Sequence, residues 1–324
     1  MPFASPEEGV AVRLGAMLRR EVLPEHTAAY ARGVERLGFD ALWVVEDCFY
    51  AGGVAAGAVA LASTERIPVG LGVLPAVMRT AAGAALDIAA LARMFPGRVL
   101  PGFGHGVSGW MHQIGAFPVS QLAALEETTS AVRALLRGAR VTVVGRHVHL
   151  DGVALEFPPQ VVPPVATGVR GPRSLRLSGR VADGTVLTEL STPAYVRWAR
   201  EQIDAGRAEA GRTDGHHVTV YAYAAPDREA VRPLVADGLR SGGSSGQWGA
   251  LAGEMTALRD RAPADLAAAL PDAWLDELTI SGAAARRSLD ALYDAGADTV
   301  VLIPAAEDPD AALAELATLR ETLR

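Results

Sequence analysis

One junction between helix and strand recurs along this 324-residue chain and constrains its fold more than any other feature. At residues 38–45 a glycine ends a helical segment, an aspartate follows, and an apolar strand begins. The same order returns at residues 295–303, and a weaker copy lies at residues 182–190. Repetition of one junction is what a chain of alternating strands and helices produces.

The apolar runs define the number of such units. They begin near residues 12, 41, 69, 99, 162, 185, 217 and 299, and helical patterns separate nearly all of them. A (β/α)8 TIM barrel usually needs about 250 residues plus insertions, which this length supplies. We therefore predict an α/β fold, with residues 1–324 forming a single barrel domain with right-handed crossovers.

Two segments depart from the pattern of the barrel. At about residues 141–157 the apolar residues alternate with polar ones on both sides of Gly145, which predicts an inserted β-hairpin. At about residues 241–253, before the last strand, the sequence SGGSSGQWG predicts a flexible loop. Such a loop is either a mobile lid over a site or a plain surface loop.

The composition excludes several classes of function. Cys48 is the single cysteine, so an internal disulfide framework and a cysteine-rich zinc site are excluded. All 30 basic residues are arginine, which rules out chemistry that requires a lysine. A net charge of -7 argues against general binding of nucleic acid or membrane surfaces.

Further absences shape the expected location of the chain. No run approaches the roughly 18 apolar residues of a membrane span, and residues 1–10 carry no secretory signal pattern. The neighbouring histidines at residues 147 and 149 and at residues 216 and 217 lack a supporting cluster of ligands. We expect a cytoplasmic protein with no metal site.

The segment over residues 69–115 carries most of the functional signal. It predicts a strand, a helix, a second strand and a loop with four glycines between residues 102 and 109. Ligands bind at the carboxyl ends of parallel strands, so we expect a site at this loop. Residues 104–109 match GxGxxG formally, but no acidic residue ends the next strand, which disfavours a dinucleotide fold. The loop either lets a flat ring approach its backbone beside His105, as a hydrogen-bond donor or a base, or forms a structural turn with His105 in solvent.

Four arginines surround the sequence Gly171-Pro172, at positions 170, 173, 176 and 180. Proline at the first position of a helix and free backbone N–H groups form an anion site, to which arginine adds bidentate contacts to phosphate. A solvated basic face is the alternative, because exposed arginines are common in this chain.

Carboxylates end two of the predicted strands. Glu46 and Asp47 follow the second strand, and Glu189 follows the sixth, so all three side chains are placed over the mouth of the barrel. One of them is a candidate general acid with a pKa raised by burial. A capping or solvated role is the more frequent one for a carboxylate at the end of a strand.

A resemblance joins these segments. The sequences GFDALWVVED, VGLGVLP, FPGRVLPGFGHG, GPRSLRLSGRVADGTVLTE and GADTVVLIP follow one another as in the bacterial luciferase-like flavin oxidoreductases. The chain resembles in particular the branch that uses the deazaflavin coenzyme F-420 (8-hydroxy-5-deazaflavin). The resemblance covers essentially the whole chain and implies an eight-stranded α/β barrel that acts on a small molecule as a homodimer.

The resemblance also implies a cofactor site. A non-proline cis peptide bond is expected in the third strand between Gly72 and Val73, against which the ring of the cofactor packs. The residues implied at the ring are Asp47, Cys48, Gly72, Val73, His105, Gly106 and Gly168. Those implied at the phosphate are Gly171, Pro172, Arg173 and Ser174.

Two departures from the family pattern bear on the reaction. The sugar-phosphate and alcohol dehydrogenases of this branch have a catalytic histidine where this chain has Cys48, and an acidic residue where it has Val107. We therefore predict the reductase direction, with hydride delivered to a C=N or activated C=C bond of a small molecule or natural-product intermediate. His105 is the first candidate proton donor and Glu189 the second, with Asp47 also in the catalytic set. An FMN-dependent monooxygenase and a non-catalytic flavin-binding protein are the alternatives.

Overall fold

The computed structural model describes residues 13–241, 247–248 and 251–324. The strands are β1 (Arg13–Leu18), β2 (Ala41–Val44), β3 (Val69–Pro75), β4 (Val99–Gly104), β5 (Val141–Val144), β6 (His149–Val153), β7 (Ala166–Gly168), β8 (Gly184–Leu187), β9 (His217–Ala225), β10 (Thr279–Ser281) and β11 (Thr299–Pro304). The helices are α1 (Thr27–Arg36), α2 (Gly53–Ser63), α3 (Ala81–Met94), α4 (Ser108–Gln113), α5 (Gln121–Leu136), α6 (Pro172–Val181), α7 (Pro193–Glu209), α8 (Arg228–Ser241), α9 (Ala252–Leu258), α10 (Pro263–Ala269), α11 (Asp272–Leu278), α12 (Ala285–Asp294) and α13 (Pro309–Thr322).

Eight of these strands close into a parallel barrel. Their order is β1-β2-β3-β4-β7-β8-β9-β11, and β11 pairs with β1 to complete the ring. The prediction of a TIM barrel is confirmed. The strands are buried on both faces, as parallel strands covered by helices must be. None of the described helices combines the length and the apolar composition that a bilayer crossing requires.

Large side chains fill the interior of the barrel. Trp43 and Tyr221 pack edge to face there, with ring centroids 5.6 Å apart. A Cβ atom on Gly70 or Gly72 would collide with the Trp43 ring, so the glycines of β3 give that ring its space.

The recurring aspartates form one repeated clamp at the amino-terminal end of the barrel. The backbone N–H of Asp40 donates to Leu14 O, and Leu14 N–H donates back to Asp40 Oδ2 at 2.8 Å. Asp183 makes the same pair of bonds with Val165, and Asp298 with Val218. Each aspartate therefore fixes the start of its own strand to the start of the neighbouring one.

The inserted hairpin is present as β5 and β6, which pair antiparallel with Val143 opposite Leu150. The apolar run over residues 161–169 predicts a strand, but β7 covers only Ala166–Gly168, because Pro163 and Pro164 cannot donate to a sheet. The pattern over residues 254–270 predicts a single helix, which is wrong: two helices form there, and the second begins at Pro263.

The sequence did not indicate β10, which shapes the mouth of the barrel. β9 pairs with β8 only as far as Val220, and beyond that point its residues 223–225 pair with β10. The chain that follows β8 therefore leaves the sheet early, and Glu189 lies in this departing segment. Of the predicted flexible loop, residues 242–246 and 249–250 lie outside the described residues, whereas Gln247 and Trp248 are buried.

Candidate functional site

The predicted site residues come from the loops that follow β2, β3, β4, β7 and β8, all at the carboxyl end of the barrel. Glu46 is buried among them, and the Arg79 guanidinium binds both its oxygens at 2.7 and 2.8 Å. Glu46 also accepts a hydrogen bond from the backbone N–H of Gly53, at the start of α2. This carboxylate therefore fixes two loops and is not available as a proton donor.

Asp47, the next residue, is a third exposed and faces the mouth. Arg20 Nη1 donates to Asp47 Oδ2 at 2.9 Å, and Arg20 Nε donates to Glu21 at 2.9 Å. Burial alone would lower the pKa of Arg20, but the hydrogen bonds to Glu21 and Asp47 raise it overall. The mouth thus holds a charged arginine between two carboxylates.

The thiol of Cys48 is buried, with Sγ 3.5 Å from Met78 Sδ. Burial raises the pKa of this thiol, and the charges of Glu46 and Asp47 raise it further. Cys48 is therefore a neutral thiol and not a base in place of the family's histidine. The peptide bond from Cys48 to Phe49 is cis, which the sequence did not indicate.

The bond from Gly72 to Val73 is also cis, as the resemblance implied. The pairing of β3 with β4 shifts between Leu71 and Leu74, so Gly72 and Val73 form a bulge. The hydroxyl of Tyr221 donates to Gly72 O at 3.2 Å from inside the barrel. Tyr221 is thus a support of the bulge that sequence reasoning missed.

Glycines opposite this bulge accommodate Val73. A Cβ atom added to Gly102, Gly104 or Gly168 would lie 3.1, 2.6 or 2.8 Å from a methyl group of Val73. The missing side chains of these three glycines admit the valine of the bulge.

Gly106 turns the loop after β4 with a φ of +71°, a conformation that favours glycine. The preceding residue, His105, is half-buried, and its Nε2 lies 3.2 Å from Ser174 Oγ. Its Nδ1 is buried and has no hydrogen-bond partner among the described residues. Burial lowers the pKa of His105, a hydrogen bond with the backbone of Gln121 partly opposes the shift, and the charge of Arg170 lowers the pKa further. The imidazole is therefore neutral.

Helix α6 directs its first turn at this histidine. Gly171 is the N-cap and Pro172 the first helical residue, and no side chain caps the helix. Arg173 is exposed on this turn and forms no ion pair with any described residue, while Ser174 faces His105. Free backbone N–H groups, a hydroxyl and a guanidinium are the donors that a phosphate group needs.

The other arginines of α6 do not belong to this cluster. Arg176 and Arg180 lie 3.3 and 3.4 Å from the Glu209 carboxylate on α7. Both side chains therefore pair with a carboxylate of the neighbouring helix and not with the start of α6. The backbone carbonyl of Arg170 accepts a hydrogen bond from Tyr195, which fixes the start of the loop.

Glu189 is half-buried, and its carboxyl group forms no ion pair with any described residue. Burial raises its pKa above the usual range, although Arg170 partly opposes the shift. The residue that follows, Leu190, has a φ of +63°, which is a strained conformation for leucine. Gln247 holds this segment from behind, with Nε2 3.0 Å from Thr188 Oγ1 and 3.3 Å from Glu189 O.

Glu189 and His105 thus have pKa values shifted in opposite directions at one mouth. A neutral carboxylic acid donates a proton, whereas a neutral imidazole with a lowered pKa is a poor acid. Sequence reasoning identified both residues and ranked His105 first.

The remaining histidine pairs lie away from this mouth. His147 lies in the hairpin, and its backbone N–H donates to Glu127 on α5. His216 and His217 lie near the opposite end of the barrel. Within residues 13–241, 247–248 and 251–324, no three metal-binding side chains cluster.

Known proteins are similar to this chain in sequence and in fold. The family described as luciferase-like monooxygenase matches residues 10–323. The 5,10-methylenetetrahydromethanopterin reductase of Methanolobus tindarius is 34% identical over 61% of this chain and 60% of its own length. The F420-dependent glucose-6-phosphate dehydrogenase of Nakamurella multipartita is 32% identical over 58% of this chain and 60% of its own length.

A solved structure extends the likeness over nearly the whole fold. The coenzyme F420-dependent tetrahydromethanopterin reductase from Methanopyrus kandleri superposes with a TM-score of 0.80. The two chains are 21% identical, and the superposition covers 94% of this chain and 97% of the other.

Proposed function

Since the chain belongs to the luciferase-like monooxygenase family, we propose that it is a coenzyme F-420-dependent oxidoreductase that works as a reductase. Two relatives that match about three fifths of their length are an F420-dependent dehydrogenase and a methylenetetrahydromethanopterin reductase. The proposed substrate is a small molecule with a C=N or an activated C=C bond.

The residues of the mouth fit a deazaflavin with a phosphate group. The buried and unpartnered Nδ1 of His105 is a polar atom that a bound ring would satisfy. Gly171 is exposed, and a Cβ atom there would meet nothing within 4 Å, so the helix start is open to a phosphate. Gly72, Val73, Gly106 and Cys48 would border the ring, and Pro172, Arg173 and Ser174 would hold the phosphate.

A bound reduced deazaflavin supplies a hydride to an electrophilic carbon. The residues of this chain supply the proton and the environment. Glu189, whose pKa is raised by burial, would donate its carboxyl proton to the nitrogen or carbon that gains electron density. Asp47, held by Arg20, would stabilise positive charge on an iminium substrate or orient its polar group.

The proposed reductase direction rests on the Glu189 carboxyl group, which has no ion-pair partner among the described residues of the mouth. A dehydrogenase of this kind needs an ionised base, whereas the raised pKa of Glu189 shifts this group towards its protonated, acid form. Gly168 remains a proposed neighbour of the cofactor, although its missing side chain is explained by Val73.

Anaerobic mixing of the protein with chemically reduced coenzyme F-420 and a panel of cyclic imines and enones tests the proposal. Substrate-dependent return of the oxidised coenzyme's absorbance, with one coenzyme oxidised per bond reduced, is the expected result. Oxidation in the reverse direction with alcohols or sugar phosphates alone would contradict the reductase assignment.

The family description favours one rival, an FMN-dependent monooxygenase. In that case oxygen consumption with reduced FMN would require the organic substrate, and the deazaflavin would support no turnover. A homodimer and a cytoplasmic location remain expectations from the resemblance and the sequence, and a flavin-binding protein without activity would give neither reaction.

A further inference from the structure

The guanidinium groups on the β1 to β3 side of the mouth are already engaged. Arg19 is buried and donates to the carbonyl oxygens of Pro304 and Ala305 at 3.3 and 2.6 Å. Its Nε donates to Glu21 Oε2 at 3.1 Å. Arg19 thus ties the end of β1 to the end of β11 and offers no donor to a ligand.

The two neighbouring arginines are neutralised by carboxylates. Arg20 lies between Glu21 and Asp47, and Arg79 gives both terminal nitrogens to Glu46. An anionic substrate on this side would have to displace one of these carboxylates, which leaves a second negative charge nearby. Juxtaposed like charges disfavour binding strongly.

Hydrogen-bond acceptors, in contrast, are in excess at the same mouth. Arg20 contacts only Oδ2 of Asp47, and the Glu189 carboxyl group pairs with no described cation. These oxygens favour a ligand that is cationic or that presents N–H or O–H donors.

An apolar rim faces the same mouth, formed by Phe49, Tyr50, Met78 and Val107. Phe49 is 65% exposed and Val107 51%. The contact between Cys48 Sγ and Met78 Sδ joins the loops after β2 and β3. A patch of exposed apolar side chains beside polar groups is typical of a ligand-binding surface.

Two further contacts make the rim continuous. A Cβ atom on Gly106 would lie 3.1 Å from Pro75, so the loops after β3 and β4 touch. Beside Asp47 a small cavity opens between the ends of β1 and β2. Its wall is mostly apolar and includes Val22, Pro24, Val44 and Tyr50.

We infer that the substrate of this mouth is neutral or cationic and carries an apolar group, and that it has no phosphate or carboxylate. The inference rests on the proposed function, because it describes the substrate of the same mouth. It separates this chain from its relative that is named for glucose 6-phosphate.

Three probes with one phenylpropyl body and different head groups test the inference by calorimetric titration of the full chain. Hydrocinnamamide is neutral, phenylpropylammonium is cationic and hydrocinnamate is anionic. We expect the amide and the ammonium to bind at least about five-fold more tightly than the carboxylate. Tightest binding by the carboxylate, or no binding by any probe, would overturn the inference.

Matched variants assign the effects to residues. Phe49→Ser should weaken the amide about five-fold, whereas Phe157→Ser, 67% exposed but stacked near Arg93 on another surface, should not. Glu21→Gln should strengthen binding of the carboxylate, because it releases one donor of Arg20. Equal effects of the two serine variants on binding would contradict the role of the rim. A Phe49→Ser variant that sediments differently from wild type but binds the amide equally tightly would also contradict it.

A parallel titration with the deazaflavin coenzyme distinguishes this inference from the proposed function. Failure of the proposed function appears as absent coenzyme binding, whereas failure of the inference appears as the wrong order of probe affinities with the coenzyme bound.

Discussion

At the amino-terminal end of the barrel, Asp183 accepts hydrogen bonds from Arg133, Arg212 and the backbone N–H of Val165. At the opposite end, the Glu189 carboxyl has no described ion-pair partner and a raised pKa. The first arrangement gives the carboxylate several partners and fixes the strands. The second leaves a titratable group under-satisfied, which lowers stability and provides reactivity.

Histidines lie at both ends of the barrel. Near the amino-terminal end, His216 Nε2 lies 2.8 Å from Thr185 Oγ1, and His217 Nε2 lies 2.9 Å from Thr299 Oγ1. At the mouth, His105 Nε2 lies 3.2 Å from Ser174 Oγ. Changes at the two ends should therefore separate stability from activity.

Replacement of Asp183 should have the largest effect. Asp183→Ala leaves Arg133 without its carboxylate and Arg212 with Asp214 alone, so we expect a loss of about 3 kcal/mol in the free energy of unfolding. The corresponding fall in Tm is roughly 5 °C for a chain of this size. Thermal and urea unfolding measure both quantities.

Asp204→Ala is the matched control, since Asp204 pairs with Arg207 in solvent and should contribute little. Equal destabilisation by the two variants would contradict the role of the clamp. Affinity for the coenzyme should be unchanged in folded Asp183→Ala.

Replacement of Glu189 should act on turnover alone. Glu189→Gln keeps the shape but removes the acid, so we expect kcat to fall about 100-fold while Tm stays constant or rises. The pKa of Glu189 is raised, so the active protonated form exists below that pKa, and wild-type kcat should decline as pH rises through it. This decline should be absent from the residual activity of the variant.

Glu307→Gln, an exposed carboxylate paired with Arg19, is the control and should retain normal turnover. Should Glu189→Gln keep more than half of the wild-type kcat with the same pH profile, another group is the proton donor.

The two histidines near the amino-terminal end should make stability depend on pH. Burial lowers the pKa of His216 to about 3 and that of His217 to about 4, whereas both titrate near 6.5 in an unfolded chain. Their contribution is present above about pH 6.5 and is lost as pH falls towards those folded values. From pH 7 to pH 6 the loss should be about 1 kcal/mol for the pair.

The double variant His216→Gln, His217→Gln should show a smaller slope than wild type in urea unfolding over the same range. Identical slopes would mean that these histidines do not titrate differently in the two states.

The smallest expected effect is at the helix that faces His105. Ser174→Ala removes the hydroxyl 3.2 Å from His105 Nε2 and one phosphate donor, so coenzyme affinity should fall about five-fold. Ser241→Ala, on α8 and bonded only to its own helix, should leave affinity unchanged in the same fluorescence titration. If the two variants bind the coenzyme equally tightly, its phosphate group does not contact Ser174.

Periodicity predicted most of the barrel, because buried strands and amphipathic helices alternate with regular spacing. It failed where the local pattern is weak. The helix GVAAGAVALAS (α2) is small and apolar on all sides, and β10 is only three residues long. Neither shows the periodicity on which such a prediction depends.

For the site, sequence patterns predicted which loops meet but not which partners their side chains take. Glu46 and Asp47 are adjacent carboxylates in the sequence, and only the fold shows that Arg79 occupies the first. Val73 likewise reaches the glycines of β4 and β7 through tertiary packing. Gln247 and Tyr221 were missed because a buried amide and a barrel tyrosine carry no motif.

Equilibrium titration of the purified protein with oxidised coenzyme F-420, and separately with FMN, tests the assignment of the mouth most directly. We expect saturable binding of the deazaflavin, at least about ten-fold tighter than that of FMN, a difference of about 1.4 kcal/mol in binding free energy. Tighter binding of FMN, or no binding of the deazaflavin, would contradict the assignment of the mouth as a deazaflavin site.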